Sequence, residues 1–163
     1  MALRKILTQE EAVLHKVCRP VTKFDDKLHI LLDDMADTLI DANGAGLAAP
    51  QVGILRRVVI VDDDGEIIEL INPEILAQSG EEDGAEGCLS VPDEYWMVKR
   101  PTKVRVRAQD RYGNPFEVEG TDMIARCFCH EIDHLDGHLY LEKAHRKLTD
   151  KEIEELCSER EEE

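Results

Sequence analysis

Two histidines four residues apart, with a glutamate beside the first, stand at His130-Glu131-Ile132-Asp133-His134, and this H-E-x-x-H spacing demands a helix. At roughly 100° per residue, positions i and i+4 return to one face, where two imidazoles can share a metal ion while Glu131 reaches a water on it. The run from about Thr121 through Met123, Cys127 and Phe128 has helical spacing and stops near Gly137, so the motif sits on an amphipathic helix. The rest of the chain must supply a third ligand, an open position for water and a core to carry this helix. The motif alone implies a metal hydrolase and nothing narrower.

Two residues compete for the third position. His138 would have rotated roughly 80° from His130 and lies beyond Gly137, and the stretch does not supply the H-x-x-G-x-x-H of a metzincin. Cys88, in Glu86-Gly87-Cys88-Leu89-Ser90, is the better ligand, since a metal would hold its thiol deprotonated; the plainer reading is a small buried hydrophobe. Cys127 and Cys129 do not form a second metal pair, because positions two apart on a helix point in different directions. One of them is expected to line a pocket or to pack in the core.

Before this helix the periods are clear. Leu28, Leu31, Leu32, Met35 and Leu39 mark a helix from Asp25 to about Ala42, stopped by Asn43-Gly44. A shorter helix is expected after a Thr8/Glu11 capping box, ending at Pro20. Val58 to Val61 and Ile67 to Ile71 read as a hairpin across Asp64-Gly65, with Asn72-Pro73 interrupting its second strand. Val104, Val106 and Ala108 alternate with Lys103, Arg105 and Arg107, and Gly113-Asn114 leads on to Phe116 and Val118, so a second hairpin keeps one face wet. Thr149 and Glu152 form a capping box for a last helix, whose acidic end, about 158–163, is expected to fray. At 163 residues without repeat or linker, a single domain spanning 1–163 is expected.

The net charge of −16 argues against a protein that neutralises phosphates, so no stable nucleic-acid partner is expected. No apolar run reaches the roughly 18 residues of a membrane span, and the amino-terminal MALRKILTQEEAVLHK lacks the features of a secretory signal. Five irregularly spaced cysteines suit reduced thiols. A cytoplasmic location is the expectation.

One more segment, Gly44 to Gly53, is a run of small residues with Gln51 after Pro50. It lacks the G-K-[ST] of a phosphate loop, and read plainly Gln51 is a surface amide. Taken together and in order, however, G-x-G-L-A-A-P-Q at 44–51, E-G-C-L-S at 86–90 and H-E-x-D-H at 130–134 closely resemble the peptide deformylases, and the resemblance covers nearly the whole chain. It implies an α+β fold with antiparallel sheets packed around a central H-E-x-x-H helix, the sheet supplying the Cys88 and Gln51 segments.

The resemblance further implies that Cys88, His130 and His134 bind one metal ion with a water completing the site, and that Glu131 is general base and then acid. Gln51, by its side-chain amide, and Leu89, by its backbone N–H, would stabilise the oxyanion, and Gly46 would contact the substrate backbone. The reaction implied is removal of the formyl group from formyl-methionine at the amino terminus of nascent chains in a bacterial cytoplasm. Cys-His-His by physics first suggests zinc; the family implies Fe2+, with Zn2+, Ni2+ or Co2+ as substitutes. Family members often carry Gln where this chain has Cys129. Expected walls for the methionine side chain are Ile54, Trp96, the Arg126 stem, Cys127 and the helix face of His130. The Glu-rich tail would be repelled by ribosomal RNA, so only transient proximity to the ribosome is expected. The rivals are a metallopeptidase and a non-catalytic peptide-binding protein of the same fold.

Overall fold

The computed structural model describes residues 2–162, with side chains through residue 159. Helix α1, Asp26–Ala42, begins where Asp25 Oδ1 accepts the Leu28 N–H at 3.2 Å and ends at Asn43, held left-handed at φ 55°. Its apolar stripe is buried, each Leu or Met stabilising the fold by about 1.5–3 kcal/mol. Next come β1, Gly46–Ala48, and a single 3-10 turn, Ala49–Val52. Strands β2, Val58–Asp63, and β3, Glu66–Ser79, follow, then β4, Glu82–Cys88, and β5, Val91–Arg100. The hairpin of β6, Lys103–Gln109, and β7, Pro115–Thr121, leads into α2, Asp122–Leu135. Strand β8, Ala144–Lys147, and α3, Asp150–Glu162, end the chain.

Two antiparallel sheets result, one ordered β1-β2-β3-β6-β7 and one ordered β4-β5-β8. Strand β2 is buried on both faces. Val58 and Ile60 pack with α1, while Val59 and Val61 pack with Ala125, Phe128, Cys129, Ile132 and Leu135 of α2. Helix α2 therefore carries two stripes at helical period: one meets the sheet, and the adjacent one, Cys127, His130, Glu131 and His134, faces the Cys88 side. In β6 the expected wet face is present, with Lys103, Arg105 and Arg107 exposed.

Several expectations need correction. The first helix is only a 3-10 turn, Ala12–His15, without side-chain capping. Its flanks are drawn into tertiary bonds instead, the Leu7 N–H to the Gln51 carbonyl and the Cys18 N–H to the Leu135 carbonyl. Asn72-Pro73 does interrupt its strand, Asn72 adopting φ 53° at a register shift, but β3 resumes beyond it and continues to Ser79. Its side chain exchanges two hydrogen bonds with the Val21 backbone, which offsets the left-handed conformation. Gln51 lies on the 3-10 turn after β1, not on a strand. The capping box at Thr149 is formed in both directions with Glu152. Fraying of about 158–163 falls mostly on side chains outside the described residues.

Candidate metal and active site

Cys88 is the last residue of β4, and the tight turn Leu89-Ser90 returns the chain into β5. This edge lies against α2, so the Cys88, His130 and His134 ligand atoms fall within 4.8 Å of one another. Cys88 Sγ is 3.4 Å from His134 Nε2, and the two imidazole centroids are 5.2 Å apart. His138 is elsewhere, exposed and paired with Glu142. The donor set, one thiol and two imidazoles, suits a divalent transition metal. Glu131 Oε1, 4.0 Å from His134 Nε2, is buried with no hydrogen-bond partner among the described residues, an expensive state unless water or an ion is present.

His130 is oriented from behind. Its Nδ1–H donates to Glu86 Oε1 at 2.8 Å, which turns Nε2 toward the cleft. Glu86 also accepts from Arg100 at 2.8 and 3.0 Å and from Arg126 at 2.8 Å, and Arg100 continues to Asp133 at 2.9 Å. Burial alone would raise the Glu86 carboxyl, but the bonds from His130 and Arg100 hold it at about 2. Burial works against a charged His130, yet Glu131, Cys88 and Glu86 together raise its pKa well above the ordinary range. His134 is driven the other way, by burial first and then by its neighbours His130 and Arg100.

Glu131 is enclosed, and burial pushes its carboxyl up to about 7 despite the pull of His130. A carboxyl poised there can accept and return a proton near neutral pH. Gln51, 1% exposed, directs its amide into the same space, with Nε2 3.7 Å from Cys88 Sγ. The plain reading of Gln51 as a surface amide is thereby excluded.

These groups open on a cleft of about 330 Å³ lined by Gly44 to Gly46, Gln51, Ala85 to Leu89, Val91 to Tyr95, Met123, Arg126, Cys127, His130 and Glu131. Of the sequence-derived site residues, Gln51, Leu89, Gly46, Cys88, His130 and Glu131 line it, and His134 lies directly behind. Of the expected side-chain walls, Arg126, Cys127 and His130 line the cleft, while Ile54 and Trp96 do not. Trp96 instead packs on the cluster of Val91, Val98 and Tyr140, where it anchors the smaller sheet. Cys129 is in the core beside Val59 and Phe128.

Glu86, Arg100 and Asp133 are the members that sequence reasoning missed. A single signal could have found Glu86: a ligating imidazole needs an acceptor for its other nitrogen.

With the geometry in hand, comparison places the chain among known proteins. A sequence model described as polypeptide deformylase matches residues 3–150. The peptide deformylase of Caldicellulosiruptor bescii is 54% identical over 158 residues, covering 97% of this chain and 95% of that one. The crystal structure of a peptide deformylase from Legionella pneumophila has a TM-score of 0.84 at 43% identity, covering 97% of this chain and 92% of that one. That of Thermotoga maritima peptide deformylase gives a TM-score of 0.86 at 38% identity, covering 88% and 98%.

Proposed function

The chain belongs to the polypeptide deformylase family, a family of metal-dependent enzymes acting on nascent peptides, and on that footing we propose how its own residues perform deformylation. Cys88, His130 and His134 hold one divalent metal ion. The observation that carries the reading is the convergence of their ligand atoms within 4.8 Å, beside a buried Glu131 oxygen that has no hydrogen-bond partner among the described residues. When bound, the ion polarises the formyl carbonyl and lowers the pKa of its water toward about 7.

Glu131 takes a proton from the attacking water and delivers it to the departing amine, leaving formate and a free amino terminus. Its burial supports this role, because desolvation raises the carboxyl's affinity for a proton. The Gln51 amide and the Leu89 backbone N–H stabilise the oxygen as it gains charge, each donor contributing about 3 kcal/mol in such sites. Gly46 begins β1, an edge strand of the larger sheet that borders the cleft, so an extended peptide can lie alongside it and form backbone hydrogen bonds. Met123, Cys127 and the Arg126 stem offer apolar surface for a methionine side chain.

Residues 1–163 act as one catalytic domain. The ion in the cell is Fe2+, with Zn2+, Ni2+ or Co2+ able to occupy the same thiolate and imidazole donors; family likeness supports the iron and the donor set supports all four. The setting is a bacterial cytoplasm, where the acidic surface allows only transient proximity to the ribosome. No helix among the described residues is long and apolar enough to cross a membrane.

The test is formate release from formyl-Met-Ala by anaerobically purified protein, with Glu131→Ala compared at equal metal content. Wild type is expected to release formate, to leave the unformylated peptide intact and to lose activity on substitution without losing metal. Iron-loaded wild type that releases none would replace catalysis with peptide binding.

A further inference from the structure

We propose that Ser90 is a positioning residue for the reaction: its hydroxyl orients the Gln51 side-chain amide so that one N–H faces the place where the formyl oxygen gains charge. The inference rests on the reading of Gln51 as an oxyanion donor.

The two ends of a glutamine amide are nearly equal in size, and its terminal torsion is soft, so neighbours decide which end points where. Here the Ala48 N–H can only donate, and it lies 2.9 Å from one end, which must therefore be the carbonyl Oε1. Nε2 then faces the cleft with two hydrogens. One donates to Ser90 Oγ at 3.0 Å, and the other to Cys88 Sγ at 3.7 Å, a weak acceptor that a substrate oxygen can replace. That second hydrogen is the one available to a substrate oxygen. Ser90 is fully buried, so water does not compete for its hydroxyl.

Backbone bonds brace this arrangement. Gln51 belongs to the turn after β1 and Ser90 to the turn between β4 and β5, and the amino-terminal segment ties the two together. The Leu7 N–H donates to the Gln51 carbonyl at 2.7 Å, and the Gln9 N–H donates to the Ser90 carbonyl at 2.9 Å. Because Gln9 already takes the Ser90 carbonyl, the hydroxyl is what Ser90 offers the amide. Ser90 also adjoins Leu89, so the bond fixes the Gln51 donor relative to the segment that carries the second donor. Without the hydroxyl, the amide keeps the Ala48 bond at Oε1 and only the weak contact with Cys88 Sγ at Nε2, and can pivot about the Ala48 bond.

The experiment compares wild type, Ser90→Ala, Gln51→Ala and the double variant at equal metal content, with kcat and KM measured on formyl-Met-Ala. Gln51→Ala is expected to lower kcat on the order of 10²-fold. Ser90→Ala should lower kcat on the order of 10-fold with KM little changed, and the double variant should be no slower than Gln51→Ala. A purely structural role would instead multiply the two losses, and that outcome overturns the proposal, as does an unchanged kcat in Ser90→Ala alongside a slow Gln51→Ala. A Gln51→Ala enzyme as fast as wild type removes the donor reading itself, and this inference with it. Independently of activity, one Gln51 side-chain amide proton, assigned by its absence in Gln51→Ala, should exchange slowly with water in metal-free wild type. Both protons exchanging at the rate of a free amide would overturn the assignment even if Ser90→Ala did not fold.

Discussion

Gly46 and Glu131 approach so closely that a Cβ on the glycine would lie 2.7 Å from the Glu131 Oε2. Gly46→Ala must therefore displace the carboxylate, a misplacement that typically costs on the order of 10²-fold in rate. The expected result is a fall in kcat on formyl-Met-Ala of that order, with metal content and thermal midpoint close to wild type. A variant as active as wild type would mean that the carboxylate position is not critical.

Glu86 is the common partner of His130, Arg100 and Arg126, all buried. Removing its charge leaves Arg100 with Asp133 alone and Arg126 with backbone carbonyls and no counter-charge among the described residues, and breaking a buried pair from one side costs about 3–5 kcal/mol. Glu86→Ala is expected to lower the unfolding free energy of the metal-free protein by about that amount in urea titrations. It should also weaken metal binding, by roughly 10- to 100-fold for a lost histidine-orienting partner. A loss below about 1 kcal/mol would show that the cluster is not a source of stability.

What the sequence made legible follows from where apolar periods carry the burial. α1, α2 and the hairpin β6–β7 repeat apolar residues at the period of their element, because each presses an apolar stripe on a neighbour, and β2 is apolar throughout its buried part, Val58 to Val61, because both its faces are buried. The β4–β5 hairpin was invisible, since β4 is Glu82-Asp83-Gly84-Ala85-Glu86-Gly87-Cys88 and its one buried residue is an ion-paired carboxylate. In one dimension Glu86 looks like surface charge; only the folded chain brings Arg100 and Arg126 to it. The candidate ligands that the fold brings together were legible from the H-E-x-x-H spacing and family resemblance, whereas the Trp96 pocket wall failed because nothing local says which side of a strand meets the cleft.

Metal removal should reduce stability, because Cys88, His130 and His134 come together only in the folded chain. An ion at 1,000 times its Kd stabilises by about 4 kcal/mol. For a chain of this size that is a thermal midpoint shift of roughly 10 °C. Differential scanning calorimetry with and without chelator is expected to show it, and Cys88→Ala should abolish most of it. Equal midpoints with and without metal would argue against a site formed by these three residues.

The cysteines should react in an order set by burial. Cys157 is exposed, whereas Cys18 is 3% exposed and burial pushes its thiol up to about 11, with Arg57 only partly offsetting the rise. Burial likewise raises Cys129. Because the thiolate is the reactive form, iodoacetamide at neutral pH should alkylate Cys157 first and leave Cys18 and Cys129 intact until the protein unfolds. Peptide mass spectrometry reads the order directly, and early labelling of Cys18 would contradict the packing of the amino-terminal segment.

Gly137 and Gly65 separate two costs that are usually mixed. Both have positive φ, +81° and +91°, so an alanine at either is strained by about 1 kcal/mol or more. Around Gly65, in the Asp64-Gly65 turn, a Cβ would meet nothing within 4 Å. At Gly137 the same atom would lie 2.7 Å from the carbonyl carbon and oxygen of His15, backbone that cannot turn aside as a side chain can. Gly137 closes α2 just after His134, its N–H donating to the His134 carbonyl, and the Cys18 N–H binds the Leu135 carbonyl nearby. To accept the methyl, the amino-terminal segment must withdraw from the end of α2. Gly65→Ala is therefore expected to lower the unfolding free energy by about 1 kcal/mol, and Gly137→Ala by at least about 2 kcal/mol more, as core overpacking does. Amide hydrogen exchange should then show lost protection at Cys18 in Gly137→Ala alone; equal losses in both variants would mean that the contact with His15 yields at no cost.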